Sequence, residues 1–206
     1  MNEWLTPIVD AYVQKYGTVN TPNVWEVGSR DGIDGYEIAE RIASNPNKVR
    51  VTCIEPNPEQ ADIIRESYPQ SIVYELAAGD ETRKAKFKVY HGNEGDVGSS
   101  SLHLDWKKGS GLKSHIITVQ VVRLEDIIDD EIIDIMAIDT EGYSYEALIG
   151  LGGKINQVRA LYIETENDSG SNDKVKKYMS LCGFEFVSEA ERWGGMPECV
   201  FVNPSI

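Results

Sequence analysis

Apolar and polar positions follow two periods along this chain, and the periods trade places several times. From Trp4 to Tyr16 the apolar side chains Leu5, Ile8, Val9, Tyr12, Val13 and Tyr16 recur at helical spacing. A short apolar run from Val24 to Val27 then stops at Gly28 and predicts a buried strand. The next helix is announced by Asp34 with Glu37 three residues later, a capping-box pattern, and is stopped by Asn45-Pro46. Val49 to Ile54 reads as a second strand. Asn57 as cap and Pro58 as first helical residue open another helix, and Ile72 to Ala77 reads as a third strand. Strand, helix, strand, helix, strand is the order of βαβ units and argues for a parallel sheet.

The pattern then breaks. Ala85, Phe87 and Val89 alternate with Lys84, Lys86 and Lys88 as in a half-exposed strand, and a second alternating strand runs from about Ile116 to Val122. Residues 91–114 between them are rich in Gly, Ser and charge. A loop of that length is either a substrate lid or a surface insertion. Alternation resumes with a strand at Ile132 to Ile138, a helix at Tyr145 to Leu151, and a strand at Val158 to Ile163. A helix at Asp173 to Cys182, closed by Gly183, leads to a final hairpin, Phe184 to Val187 and Cys199 to Val202. No repeat or linker interrupts the series. The expectation is one α/β domain over residues 1–206, doubly wound and Rossmann-like, with a leading helix in residues 1–20.

Composition narrows the class. A chain of 206 residues that is 41% hydrophobic suits one sizeable core. No apolar run is long enough to span a bilayer, and the start lacks the features of a secretory signal, so a soluble cytoplasmic protein without membrane partners is expected. Cys53, Cys182 and Cys199 are widely spaced and read as free thiols rather than metal ligands. The balance of 34 acidic to 20 basic residues gives a net charge of −14, which disfavours a nucleic-acid partner but suits a cationic ligand.

The strongest chemical signal is Val24-Trp25-Glu26-Val27-Gly28-Ser29-Arg30-Asp31-Gly32, a buried strand that turns through two glycines into a helix. Glycine lets the backbone bend sharply and lets a ligand approach it. The second strand ends in Ile54-Glu55-Pro56-Asn57. An acid there can accept both ribose hydroxyls of an adenosine, and one βαβ unit separates it from Gly28. A nicotinamide loop usually reads G-x-G-x-x-G, but here position 30 is Arg30. The G-x-x-x-G form with Glu26 before it resembles the first motif of S-adenosylmethionine methyltransferases. That resemblance implies that the loop faces the methionine part of the cofactor and that Glu26 helps to shape the site. It also implies that the small residues of Ala77-Ala78-Gly79-Asp80 lie against adenine, with Asp80 the candidate to read its amino group. A plain Gly-Asp turn is the other reading of that segment.

Asp134-Ile135-Met136-Ala137-Ile138-Asp139-Thr140-Glu141-Gly142 resembles the strand-to-helix signature of the FkbM-type methyltransferases, usually K-I-D-x-E-G. Val121 to Asp126 and Ser99-Ser100-Ser101-Leu102 resemble other parts of that family, and the likeness covers about residues 22 to 202. The family implies a seven-stranded, mostly parallel sheet with an antiparallel last strand, S-adenosylmethionine as cofactor, and methyl transfer usually to a hydroxyl oxygen. Two departures stand out. Ala137 replaces the usual lysine, and Ser29-Arg30-Asp31 replaces the common Ala-Asn.

Methyl transfer is an in-line displacement, so alignment supplies much of the catalysis, and a hydroxyl acceptor also calls for a base. Asp139, at a strand end, is the first candidate near the reacting centre. Glu141 either binds the acceptor or caps the next helix. His103, in the long loop, is a base if that loop closes and a solvated side chain otherwise. His91 and His115 have no better claim. Asp139, Glu164, Glu166 and Asn167 offer oxygens to a divalent metal, a reading not favoured over a metal-free site. Trp106 and Trp193 are candidates to stack on an acceptor, and the long loop, the leading helix and the segment Arg192 to Met196 are the elements expected to set selectivity. The expected partner is a small-molecule, sugar or glycan acceptor. The alternative is a catalytically silent domain that binds cofactor or partner. Oligomeric state is not legible.

Overall fold

The computed structural model describes residues 2–91, 98–105, 110–165, 170–191 and 196–206. Trp106, Glu166, Asn167 and Arg192 to Gly195 lie outside them. The central layer is a seven-stranded sheet: β1 (Asn23–Val27), β2 (Arg50–Ile54), β3 (Ile72–Tyr74), β7 (Ile133–Ile138), β8 (Val158–Glu164), β9 (Glu185–Glu191) and β10 (Pro197–Val202). Its order is β3-β2-β1-β7-β8-β10-β9. All neighbours from β3 to β8 are parallel, and β10 runs antiparallel to both β8 and β9. The sheet and its antiparallel last strand are as the family resemblance implies.

The strands at the centre are buried on both sides, which is why they read as continuous apolar runs. Side chains alternate between two cores. Trp25, Val27, Met136, Ile138, Leu161 and Ile163 face one way, onto α4 (Ser144–Ile149) and α5 (Ser171–Leu181). Val24, Ile135, Ala137, Ala160 and Tyr162 face the other way, onto α1 (Thr6–Tyr16), α2 (Ile33–Ile42) and α3 (Pro58–Ser67). Among the described residues no helix is long and apolar enough to cross a membrane.

Three expectations about elements are corrected. The third strand does not run from Ile72 to Ala77. It ends at Tyr74, where Leu76 N–H donates to Tyr74 O at 3.0 Å in a tight turn. Ala77–Ala78 (β4) then joins a separate sheet of order β4-β6-β5, with β5 at Arg83–His91 and β6 at Lys113–Val122. That small sheet has its own core of Ala77, Phe87, Val89, Val119 and Val121. The capping box at Asp34 and Glu37 is also absent. Helix α2 starts at Ile33, and Gly32, with a left-handed φ of 78°, takes the cap position without a side-chain bond. Asp34 and Glu37 instead accept hydrogen bonds from Asn2. Finally, α4 ends at Ile149 and a 3₁₀ helix, Gly152–Gln157, carries the chain into β8. The cap at Asn57 is present, accepting from Glu59 N–H at 3.2 Å.

Candidate functional site

The carboxyl ends of β1, β2 and β7 meet where the strand order reverses, between β1 and β7. Such a crossover opens a crevice in which ligands bind. Hydrogen bonds knit the strand ends together: Gly28 N–H donates to Ile54 O and Asp139 N–H to Val27 O, each at 2.9 Å. Gly28 has a φ of 87°, and a Cβ there would come within 1.8 Å of Asp139 O, so only glycine fits this bend.

Two adjoining spaces open at this point and share Gly28, Arg30, Gly98, Asp139 and Glu141 in their walls. The first is a cleft with an apolar inner end of Ile54, Ala77, Ala78, Phe87 and Leu102, and Glu55, Pro56 and Asn57 along its side. Glu55 is buried, and its carboxylate is aimed by two backbone donors, Arg30 N–H and Asn57 N–H, each at 2.8 Å. Burial pushes its pKa up to about 7, against the lowering effect of those bonds. Each oxygen keeps a second lone pair for a ligand hydroxyl.

The second space is a cavity of about 600 Å³. Its floor is a lateral row across the sheet, since Glu26 pairs in register with Ala137 and Ala137 with Tyr162. All three line the cavity, together with Ser29, Asp31, Asp34, Asp139, Glu141 and Glu164, the N-terminal residues Asn2, Trp4 and Leu5, and Met196. Glu26 is buried. Burial holds its carboxyl well above the usual range, with the Asp34 charge acting in the same direction and the Gly35 N–H opposing. Asp139, Glu141 and Glu164 can each place one carboxylate oxygen within 4.8 Å of the others.

Two non-glycine residues here have left-handed backbone, Arg30 and Glu141, each with a φ of 50°. Such conformations cost energy and persist where the surroundings over-determine them. At Arg30 the backbone is held by the bond to Glu55, and its side chain is paired with Asp31 at 2.8 Å. At Glu141 the backbone carbonyl accepts from Ser101 Oγ at 2.5 Å. Ser101 is fully buried and bridges to Lys88 of β5, which explains the serine-rich stretch in the long loop: it seats Gly98, Ser100 and Leu102 against the cleft.

Most residues singled out from the sequence come together. Gly28, Arg30, Glu55, Pro56, Asn57, Ala78, Asp139 and Glu141 line the cleft, and Glu26, Ser29 and Asp31 line the larger cavity. Others do not join them. Gly32 caps α2, and Gly79 packs on Val121 and Tyr143, outside both walls. Asp80 and His103 are exposed and line neither space, and the same is true of His91 and His115. Sequence reasoning missed Phe87, Tyr143 and Gln60 at the cleft and Tyr162 at the cavity; it named the leading helix for selectivity but not Trp4 and Leu5 as the residues that line the cavity. The alternation that buried Phe87 was visible, but not that a second sheet would carry it to the cleft.

The site fits S-adenosylmethionine. The Glu55 carboxylate suits ribose hydroxyls, the apolar end suits adenine, and the acid-lined cavity suits a sulfonium. Fold and site define an S-adenosylmethionine-dependent methyltransferase. The family model of the methyltransferase FkbM domain matches residues 26–186, and the chain belongs to that family. The sequence finds no match among curated proteins. Among solved structures it is similar to M. capricolum TrmK in complex with S-adenosyl-homocysteine, at 11% identity and a TM-score of 0.52, over 100% of this chain and 69% of that one. It is also similar to the ribosomal protein L11 methylase from Lactobacillus delbrueckii subsp. bulgaricus, with the same identity and TM-score, over 98% and 80%. At this identity the likeness is one of fold.

Proposed function

We propose that this chain methylates a hydroxyl oxygen on a small molecule, sugar or glycan. The observation that carries the reading is a group of three carboxylates: Asp139 and Glu141 on the wall shared by the cofactor cleft and the large cavity, and Glu164 beside them on the cavity alone. A hydroxyl must lose a proton as its oxygen attacks, whereas an amine needs only its lone pair. Carboxylates facing the cavity supply the proton acceptor.

When bound, S-adenosylmethionine supplies a methyl group on an already activated sulfonium. Glu55 would hold the ribose, and the bend at Gly28 would leave the backbone bare beside the methionine part. Asp139 and Glu141 touch both spaces and so stand where acceptor and methyl are brought into line. Glu164, on the larger cavity alone, binds the acceptor hydroxyl or takes its proton.

The test is a pair of variants, Asp139→Asn and Glu164→Gln, assayed for product release and for binding of S-adenosyl-homocysteine. Turnover should fall about 100-fold while affinity for the demethylated cofactor changes little. Full turnover in both variants refutes a carboxylate base. The same cluster favours one second reading, a divalent ion held by the three acids. Loss of activity in excess chelator would support it, and undiminished activity would remove it. Binding without turnover over a broad acceptor panel would instead support a silent, cofactor-binding domain.

A further inference from the structure

The large cavity has a wall that the family match does not cover. Residues 2–5 precede the matched span of 26–186, yet Asn2, Trp4 and Leu5 all line the cavity. The chain there is a short 3₁₀ helix, Glu3–Leu5, that leads into α1. It lies over the floor formed by Glu26, Ala137 and Tyr162, on the same side of the sheet as α1 and α2.

This segment is tied down on both sides. Asn2 N–H donates to Glu37 Oε1 and Asn2 Nδ2 to Asp34 Oδ1, each at 2.6 Å. Arg41 donates to Asn2 O at 3.4 Å and to Thr6 Oγ1 at 3.0 Å, and pairs with Glu37 one turn before it on α2. Leu5, Ile8 and Tyr12 are fully buried below. The clamp therefore joins the segment to α2, the helix that begins directly after the Gly28–Gly32 loop. Trp4, held between these anchors, stays only half-buried and keeps part of its indole on the cavity.

We infer that residues 2–5 form the acceptor-selecting wall of this enzyme, with Trp4 the side chain that selects a ring-shaped acceptor such as a pyranose. An indole offers a large, rigid, flat surface that ordering costs little, and a sugar or aromatic ring is its natural complement. The floor beneath it is hollow because Ala137 stops at Cβ between Glu26 and Tyr162. Asp34 and Glu37, with Arg41, position the wall and take no part in the chemistry. This inference rests on the methyl-transfer reading of the site.

The experiment uses the full chain loaded with S-adenosyl-homocysteine and a p-nitrophenyl hexoside as the acceptor probe, with binding read by saturation-transfer NMR. The loaded wild type should bind the hexoside at millimolar concentration. Trp4→Ala should weaken that binding about tenfold while affinity for S-adenosyl-homocysteine stays within about twofold. Trp4→Phe should keep most of the binding, and Ala137→Leu, which fills the floor, should abolish it. Cofactor affinity and a normal unfolding midpoint show that each variant folds. Equal hexoside binding in Trp4→Ala overturns the inference, as does no hexoside binding by protein that holds the demethylated cofactor. Failure of the wild type to bind S-adenosyl-homocysteine counts against the methyltransferase reading instead.

Discussion

Glu55 shows how far one side chain can be read before its surroundings are known. Its place at the end of the second strand, one βαβ unit after Gly28, was enough to mark it as a candidate ribose ligand. Its pKa, pushed up to about 7 by burial, was not. A carboxyl held that high binds its proton more tightly in the folded chain than in the unfolded one. The ligand-free protein should therefore lose stability as pH rises from about 4.3 to 7, and no more from this group above that. Glu55→Gln should flatten the corresponding part of a plot of unfolding midpoint against pH. Parallel curves would refute the assignment. Ribose hydroxyls donate to the ionised carboxylate, so affinity for S-adenosyl-homocysteine should rise as pH climbs toward about 7 in the wild type only. Asp80 marks the limit of such reading. Its position beside the small residues pointed to adenine, but it is exposed, because the chain breaks away at Leu76 and β4 pairs with β6.

Among the elements, the leading helix was legible as a helix and as a candidate for setting selectivity, but the contacts that dock it were not. Its apolar stripe announced a buried face. Its docking depends on a polar group far along the chain that no local pattern reveals. Asp134 of β7 accepts from Tyr12 Oη at 2.5 Å, from Arg159 Nη1 at 2.8 Å and from Asn23 N–H at 2.8 Å. Tyr16 donates to Asn203 O and lies under the Arg159 guanidinium. Asp134→Ala would leave Arg159 without its partner and the Tyr12 hydroxyl without its acceptor. The expected loss is about 3 kcal/mol in urea unfolding, tempered by the partial exposure of Arg159. A change below about 0.5 kcal/mol would show that α1 is held by apolar packing alone. The misread capping box has the same origin. Asp and Glu three residues apart carry the signature of a helix start, but a glycine able to adopt left-handed backbone had already filled the cap, which released both acids to hold Asn2.

At the scale of the molecule, the parallel sheet was recoverable because each βαβ unit is local, and the signature at Asp139 to Gly142 marked the end of the sheet where the cleft and cavity lie. The large cavity was recoverable only in part: the leading helix and the segment up to Met196 were expected to set selectivity, but nothing in the sequence joined them to β8. It is assembled from residues 2–5, from β8 and from Met196, which are separated by most of the chain and meet only once the sheet is closed. The surplus of acidic residues also gains meaning at this scale, since several of them gather at the cavity rather than spread over the surface. The backbone at Glu141 carries a consequence for engineering. A residue without a side chain would relax the left-handed turn there, so Glu141→Gly should raise the unfolding free energy by about 1 kcal/mol. The same change removes a carboxylate from the wall shared by the cleft and the cavity and, under the proposed function, should depress turnover. Screening this protein for heat resistance alone would favour that substitution, and durability would be gained at the expense of speed.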